Sequence, residues 1–176
     1  MFFKAFTLIE SLITLSILII SFYLILPVIF QLQDNIALNN EIENIQSFIY
    51  QIQAKARYQK QSYTLTASQN LQTSNWCLIA IQKQTGSSQE IVCDCLNVQQ
   101  CRLTRHFLLY RNTHQHIVLK NQSLYPKSLI NIDGTAGRLE SKCLALSLNQ
   151  ASKILQFDQW GRIYVIPKDK RSHCKS

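Results

Sequence analysis

Apolar residues fall into three regimes along the chain. From Phe6 to Gln33 they are nearly continuous, and Glu10 is the one charged residue in that stretch. The uncharged run from Ser11 to Gln33 is long enough to cross a bilayer, which takes about 20 residues of helix. From Leu38 the pattern changes. Leu38, Ile42, Ile45, Ile49, Ile52 and Ala56 recur at alternating spacings of four and three, which places them on one stripe of a helix. No glycine or proline interrupts the chain between Val28 and Ser62. One helix over about residues 6–60 is therefore predicted, bent or locally loosened near Pro27, where proline removes an intrahelical hydrogen bond. Lys55, Arg57 and Lys60 lie near its C-terminal end, where positive charge suits the helix dipole.

Beyond Ser62 the period falls to two. Strands are expected at residues 63–66, 76–81, 90–93, 102–110, 116–119, 143–148, 154–158 and 162–166. Turn clusters separate them at Gln69-Asn70, Gln84 to Ser88, Asn121 to Ser123, Asp133 to Gly137 and Asp158 to Gly161. One helix followed by many short strands is the signature of an α+β fold with an antiparallel sheet; the pairing order stays open. About 115 residues remain beyond the helix, enough for one domain core.

Glu10 changes the meaning of the apolar run. Lipid penalises a carboxylate at full depth by roughly 2–3 kcal/mol, and a plain anchor has no use for one. A helix that leaves the membrane to pack against copies of itself does. A secretory signal would be shorter and would end in a small-x-small site, which Pro27-Val28-Ile29-Phe30 does not offer. Any cut must precede the apolar run, at Ala5–Phe6. Lys4 and the initial amine lie before the helix, and Asp34, Glu41 and Glu43 after it. Positive charge stays cytoplasmic, so the bulk of the chain is expected on the far side.

Lys4-Ala5, then Phe6-Thr7-Leu8-Ile9-Glu10, then an apolar helix containing Pro27, resembles the N-terminus of type IV pilins and type II secretion pseudopilins. The resemblance implies a leader of residues 1–5, cleavage by prepilin peptidase between Ala5 and Phe6, and methylation of the Phe6 amine. It implies a transmembrane and assembly helix over residues 6–33, its amphipathic continuation over 34–61, and a periplasmic domain over 62–176. It also places Glu10 near the N-terminal amine of a neighbouring subunit, a pairing that makes a buried carboxylate tolerable, and assigns Pro27 to the assembly helix. The implied location is the inner membrane, single-pass, and then a pilus or pseudopilus, with other pilins or pseudopilins as partners. Ala5 departs from the glycine usual before the cut.

Later segments resemble the GspH/FimT branch. Ile130 to Leu139 looks like its glycine-containing loop after a strand. Lys153 to Val165 looks like its final hairpin, ending in Gly161-Arg162. Ala54 to Lys60 with Tyr63-Thr64-Leu65 fits its helix-to-strand junction. The branch implies a FimT-like minor pilin that primes assembly and binds DNA for uptake, or alternatively a GspH-like pseudopilin with a purely structural role.

Six cysteines, Cys77, Cys93, Cys95, Cys101, Cys143 and Cys174, follow the helix. In an oxidising compartment they are candidates for up to three disulfides; Cys93 and Cys95 are too close to pair with each other. The rival is a zinc site at Cys93, Cys95 and Cys101, which no paired CxxC or Cys/His repeat supports. His114 and His116 would share a strand face and read as surface residues. Net charge is +8, and thirteen of eighteen Lys/Arg against four of ten acids lie from Leu96 onward. This basic half would attract phosphate backbones without reading sequence. Arg138 and Arg162 sit in turns, Lys168, Lys170 and Arg171 form a basic tail, and Trp160, Tyr164 and His173 could stack nearby. Double-stranded DNA is the candidate ligand; a solvated basic surface or an acidic neighbouring subunit is the plain alternative. Trp76 and most tyrosines read as core. No catalytic constellation, phosphate loop or cofactor motif is evident, so the expectation is a non-enzyme without cofactor or metal.

Overall fold

The computed structural model describes residues 8–83, 92–101, 106–120 and 126–167. Helix α1 (Leu8–Gln59) runs for 52 residues, about 80 Å at the α-helical rise. It continues unbroken through Pro27. It ends where Lys60 turns left-handed (φ 55°) and the Gln61 N–H donates to the Ala56 carbonyl at 3.1 Å. That bond caps an otherwise orphaned carbonyl of the last turn.

The expected antiparallel strands are divided between two four-stranded sheets. In the first, β1 (Tyr63–Asn70) forms a hairpin with β2 (Asn75–Gln82); β3 (Phe107–Arg111) flanks β2 and β5 (Lys127–Ile132) flanks β1. In the second, β4 (Val118–Lys120), β6 (Cys143–Leu148), β7 (Ala151–Phe157) and β8 (Ile163–Pro167) follow in that order. All the pairings are antiparallel. Alternation tells which side of a strand faces inward, not which strand lies beside it, so the split left no mark on the pattern.

Both sheets pack on the stripe of α1. Leu38, Ile42, Ile45, Ile49, Ile52 and Ala56 are all buried in one core with Tyr63 and Leu65 of β1, Ile130 and Ile132 of β5, Leu144 and Leu146 of β6, and Leu155 and Phe157 of β7. The α+β expectation of a long N-terminal helix packed on antiparallel strands is what the chain adopts.

Several local expectations are corrected. Residues 127–130, unassigned from sequence, belong to β5, which extends to Ile132. A bulge interrupts the β1–β5 pairing: Leu65 faces Ile130, Thr66 faces Ser128, and Leu129 is skipped. Two consecutive apolar residues, Leu129 and Ile130, consequently both reach the main core, which destroys the period of two. Gln69 and Asn70 end β1 rather than forming the turn; the turn follows, and the Asn70 side chain accepts from the Gln72 N–H at 2.9 Å. Val92 and Cys93 are not in a strand. His116 has φ 75° and lies in a turn with His114, so the two share no strand face. The other parts of the expected strands at 90–93 and 102–110 that fall in 84–91 and 102–105 lie outside the described residues.

A second, smaller core lies on the opposite face of the first sheet. Along β2, Trp76, Leu78 and Ala80 point to the main core, while Cys77, Ile79 and Ile81 belong to a cluster with Cys93 and Cys95. Successive strand residues point to opposite faces, so the segment around Cys93–Cys101 covers the side of the sheet that α1 does not. The Cys77–Cys95 disulfide, with Cα atoms 5.9 Å apart, ties it to β2, and Cys93–Cys101, at 5.6 Å, closes the segment on itself. Cys143 is also disulfide-bonded, and Cys174 lies outside the described residues. The thiols weighed as zinc ligands are thus committed to sulfur–sulfur bonds.

Candidate functional site

The first half of α1 offers no protein surface to itself. Leu8, Ile9, Leu12, Ile13, Leu15, Ile17, Leu18 and the apolar residues up to Leu32 are exposed all round the helix. A soluble monomer rarely exposes more than a few hundred Å² of contiguous apolar patch. The helix is long and apolar enough to cross a membrane. Its hydroxyls suit that setting. Ser11 donates to the Leu8 carbonyl at 2.8 Å, Thr14 to Ser11 at 3.0 Å, Ser16 to Leu12 at 2.8 Å and Ser21 to Ile17 at 2.8 Å. These four hydroxyl hydrogens are therefore satisfied without water, as a hydrocarbon surrounding requires. Glu10 stands on the exposed surface of the first turn and Pro27 within the same run. Ala5 and Phe6 lie outside the described residues.

The second half of α1 reaches into the head with polar side chains that flank the apolar stripe. Glu41 is fully buried. Its carboxylate accepts from the Tyr110 hydroxyl at 2.8 Å, the Thr113 N–H at 3.2 Å and the His114 N–H at 3.3 Å. Burial, with Glu41 beside it, pushes the Tyr110 hydroxyl well above the usual tyrosine range. The Tyr110 ring also packs on Phe48 and Trp76, with centroids 5.5 and 5.8 Å away, and Trp76 donates its indole N–H to the Ile117 carbonyl. Nearer the membrane half, Asn149 donates to Asp34 at 2.8 Å and Lys153 to Asn39.

Three turns higher, Gln53 joins the two sheets. Its buried amide nitrogen donates to the Gly137 carbonyl at 2.8 Å and to the Gly161 carbonyl at 3.0 Å. Gly137 closes the loop after β5, and Gly161 sits in the turn between β7 and β8. Both have positive φ, +67° and +85°. A Cβ on Gly161 would lie 2.8 Å from the Gln53 amide nitrogen and 3.0 Å from the Gly137 oxygen. Glycine is needed there for conformation and for space alike.

This clasp brings together the two arginines singled out in the sequence. The Arg138 guanidinium lies 6.0 Å from the Trp160 ring centre, and that of Arg162 lies 5.4 Å from the Tyr164 ring, both within cation–π range. Trp160 leaves 74% of its surface in water and Tyr164 41%. Arg57, read from sequence only as a dipole partner, packs against the Gly137 turn: its Nε lies 2.9 Å from the place a Cβ would take. Neither Arg57 nor Gln53 stood out in the sequence, because both lie beside the apolar stripe rather than on it. Asp158 tempers the charge. It accepts from Arg162 Nε at 3.2 Å and Nη2 at 2.9 Å, and the Trp160 N–H and Arg162 hold its carboxyl below the usual range. In the neighbouring loop the Ala136 N–H does the same for Asp133. Glu140 is pushed up by burial but held lower on balance by Lys142 and Asn131. Lys168, Lys170, Arg171 and His173 lie outside the described residues.

No protein-family model matches the chain. An uncharacterized protein of Haemophilus influenzae is 28% identical over 173 residues, covering 97% of this chain and 98% of that protein. Among solved structures, the type IV minor pilin FimU of Pseudomonas aeruginosa aligns with 81% of this chain and 98% of its own, at 12% identity and a TM-score of 0.48.

Proposed function

We propose that the chain is a minor subunit of a type IV pilus-like filament. The helix inserts in the inner membrane with the head in the periplasm. Prepilin peptidase removes residues 1–5, the Phe6 amine is methylated, and the subunit joins others to prime assembly. One observation carries this reading: α1 is one continuous rod whose second half is locked into the head while its first half, bearing Glu10, is apolar on every side. Lipid satisfies that surface before assembly, and the helices of neighbours satisfy it afterwards. Glu10 gains a counter-ion in the neighbour's N-terminal amine, which offsets the cost of its burial. A type II secretion pseudopilus would use the same rod.

The test is Glu10→Ala in the full chain. Membrane insertion should persist while recovery in sheared filaments falls; unchanged incorporation would remove Glu10 from the mechanism. Mass spectrometry of assembled protein should find Phe6 as the first residue, carrying one methyl group.

The cluster of Arg57, Arg138 and Arg162 with exposed aromatic rings favours a second role, contact with nucleic acid. Its mark is affinity that falls steeply with salt, because bound arginines release counterions from the phosphate backbone. Arg138→Gln with Arg162→Gln should flatten that salt dependence.

A further inference from the structure

We infer that the Arg138–Trp160–Arg162–Tyr164 surface takes unpaired bases, so that its preferred ligand is a single-stranded nucleic acid rather than a duplex. The inference rests on the nucleic-acid role above and names the form of the ligand. A duplex offers this surface phosphates and groove edges, for which guanidinium groups suffice. Its base faces are stacked against one another and closed to an outside ring. Trp160, at the tip of the β7–β8 turn with 74% of its surface exposed, is then an apolar ring with no contribution to make. An unpaired strand uses both chemistries: bases stack on aromatic faces while the backbone tracks the positive charge.

The geometry interleaves the two. One guanidinium stands 6.0 Å from Trp160 and another 5.4 Å from Tyr164, and the rings belong to one hairpin four residues apart. One guanidinium and both turns are held in place. Arg162 is fixed by two bonds to Asp158, and the turns carrying Arg138 and Trp160 are fixed by the Gln53 amide. A base can therefore meet the Arg162 guanidinium plane, and a ring on a fixed turn, with less side-chain entropy left to lose. Three arginines against two aspartates, Asp158 on Arg162 and Asp133 near Arg138, keep the cluster positive, which favours an anionic polymer over an apolar protein partner.

The experiment uses the full chain in detergent micelles, a labelled single-stranded oligodeoxynucleotide and the duplex made from it, at equal low salt. The single strand should bind at least about fivefold tighter and quench Trp160 emission, Trp76 being buried. Trp160→Ala should weaken single-strand binding on the order of tenfold and leave duplex binding within about twofold. Trp160→Phe should restore most of the loss, because the face returns without the indole. Duplex binding equal to or tighter than single-strand binding, or a Trp160→Ala protein that binds the single strand normally, overturns the inference while leaving the nucleic-acid role standing. Binding of neither form overturns both and assigns the patch to a protein neighbour.

Discussion

The two halves of α1 share a backbone conformation and little else. Over residues 8–33 the helix fully buries no residue, and its serine and threonine hydroxyls turn back on its own carbonyls. Over residues 38–56 a narrow stripe is completely enclosed, and the polar residues beside it, Glu41 and Gln53, bond to loops more than 60 residues away in sequence. One half is built to be indifferent to which apolar surroundings cover it. The other is specified by one set of partners. The subunit role proposed above, in which lipid gives way to neighbouring subunits while the head stays folded, needs that division.

Substitutions along the helix sharpen the contrast. The largest effect should come from Ile49→Ala, at a fully buried position: about 3 kcal/mol of head stability should be lost through transfer and cavity costs. Ile17→Ala, at a residue 58% exposed, should leave the head unchanged. Denaturant unfolding of the full chain in micelles, followed by emission of the buried Trp76, measures both. Glu41→Ala should cost nearly as much, on the order of 3 kcal/mol, since the Tyr110 hydroxyl and two N–H groups lose their acceptor; Glu41→Gln should recover part of it. Gly161→Ala should cost about 2 kcal/mol from left-handed strain and the clash with Gln53, with Trp160 becoming more mobile in time-resolved anisotropy. Ser16→Ala in the exposed apolar half should change head stability by less than about 0.5 kcal/mol. Acid supplies the gentlest probe. Asp133 and Glu140 are held below their ordinary values of 3.8 and 4.5. Their contribution is present above those values and is lost as pH falls below them, through the lower values the folded head imposes. The head should weaken below about pH 4, and Asp133→Asn should flatten that slope.

The extent of the helix and its stripe were legible because a period of 3–4 over six positions survives any tertiary arrangement. β1, β2 and β6 to β8 were legible in position for a similar reason. What escaped was whatever depends on a partner. β5 hid behind a bulge that sets Leu129 and Ile130 side by side in the core. The second sheet hid because lateral neighbours leave no trace in alternation. Cys93 sits where alternation suggested a strand, yet it is buried because the neighbouring Cys95 is tied to Cys77 of β2 and brings the segment onto the sheet. At the candidate site, Arg138 and Arg162 were found through charge and turn context, whereas Gln53 and Arg57 look like solvent-facing helix residues until the two turns fold over them.

The paired bonds of Gln53 have a mechanical consequence. A pull on the β7–β8 turn would otherwise peel β8 from the edge of its sheet, one hydrogen bond at a time. Because the same amide holds the Gly161 and Gly137 carbonyls, the load passes directly into the shaft and is shared with the other sheet. A cargo held at that tip would tug on the rod itself rather than unzip the domain that grips it.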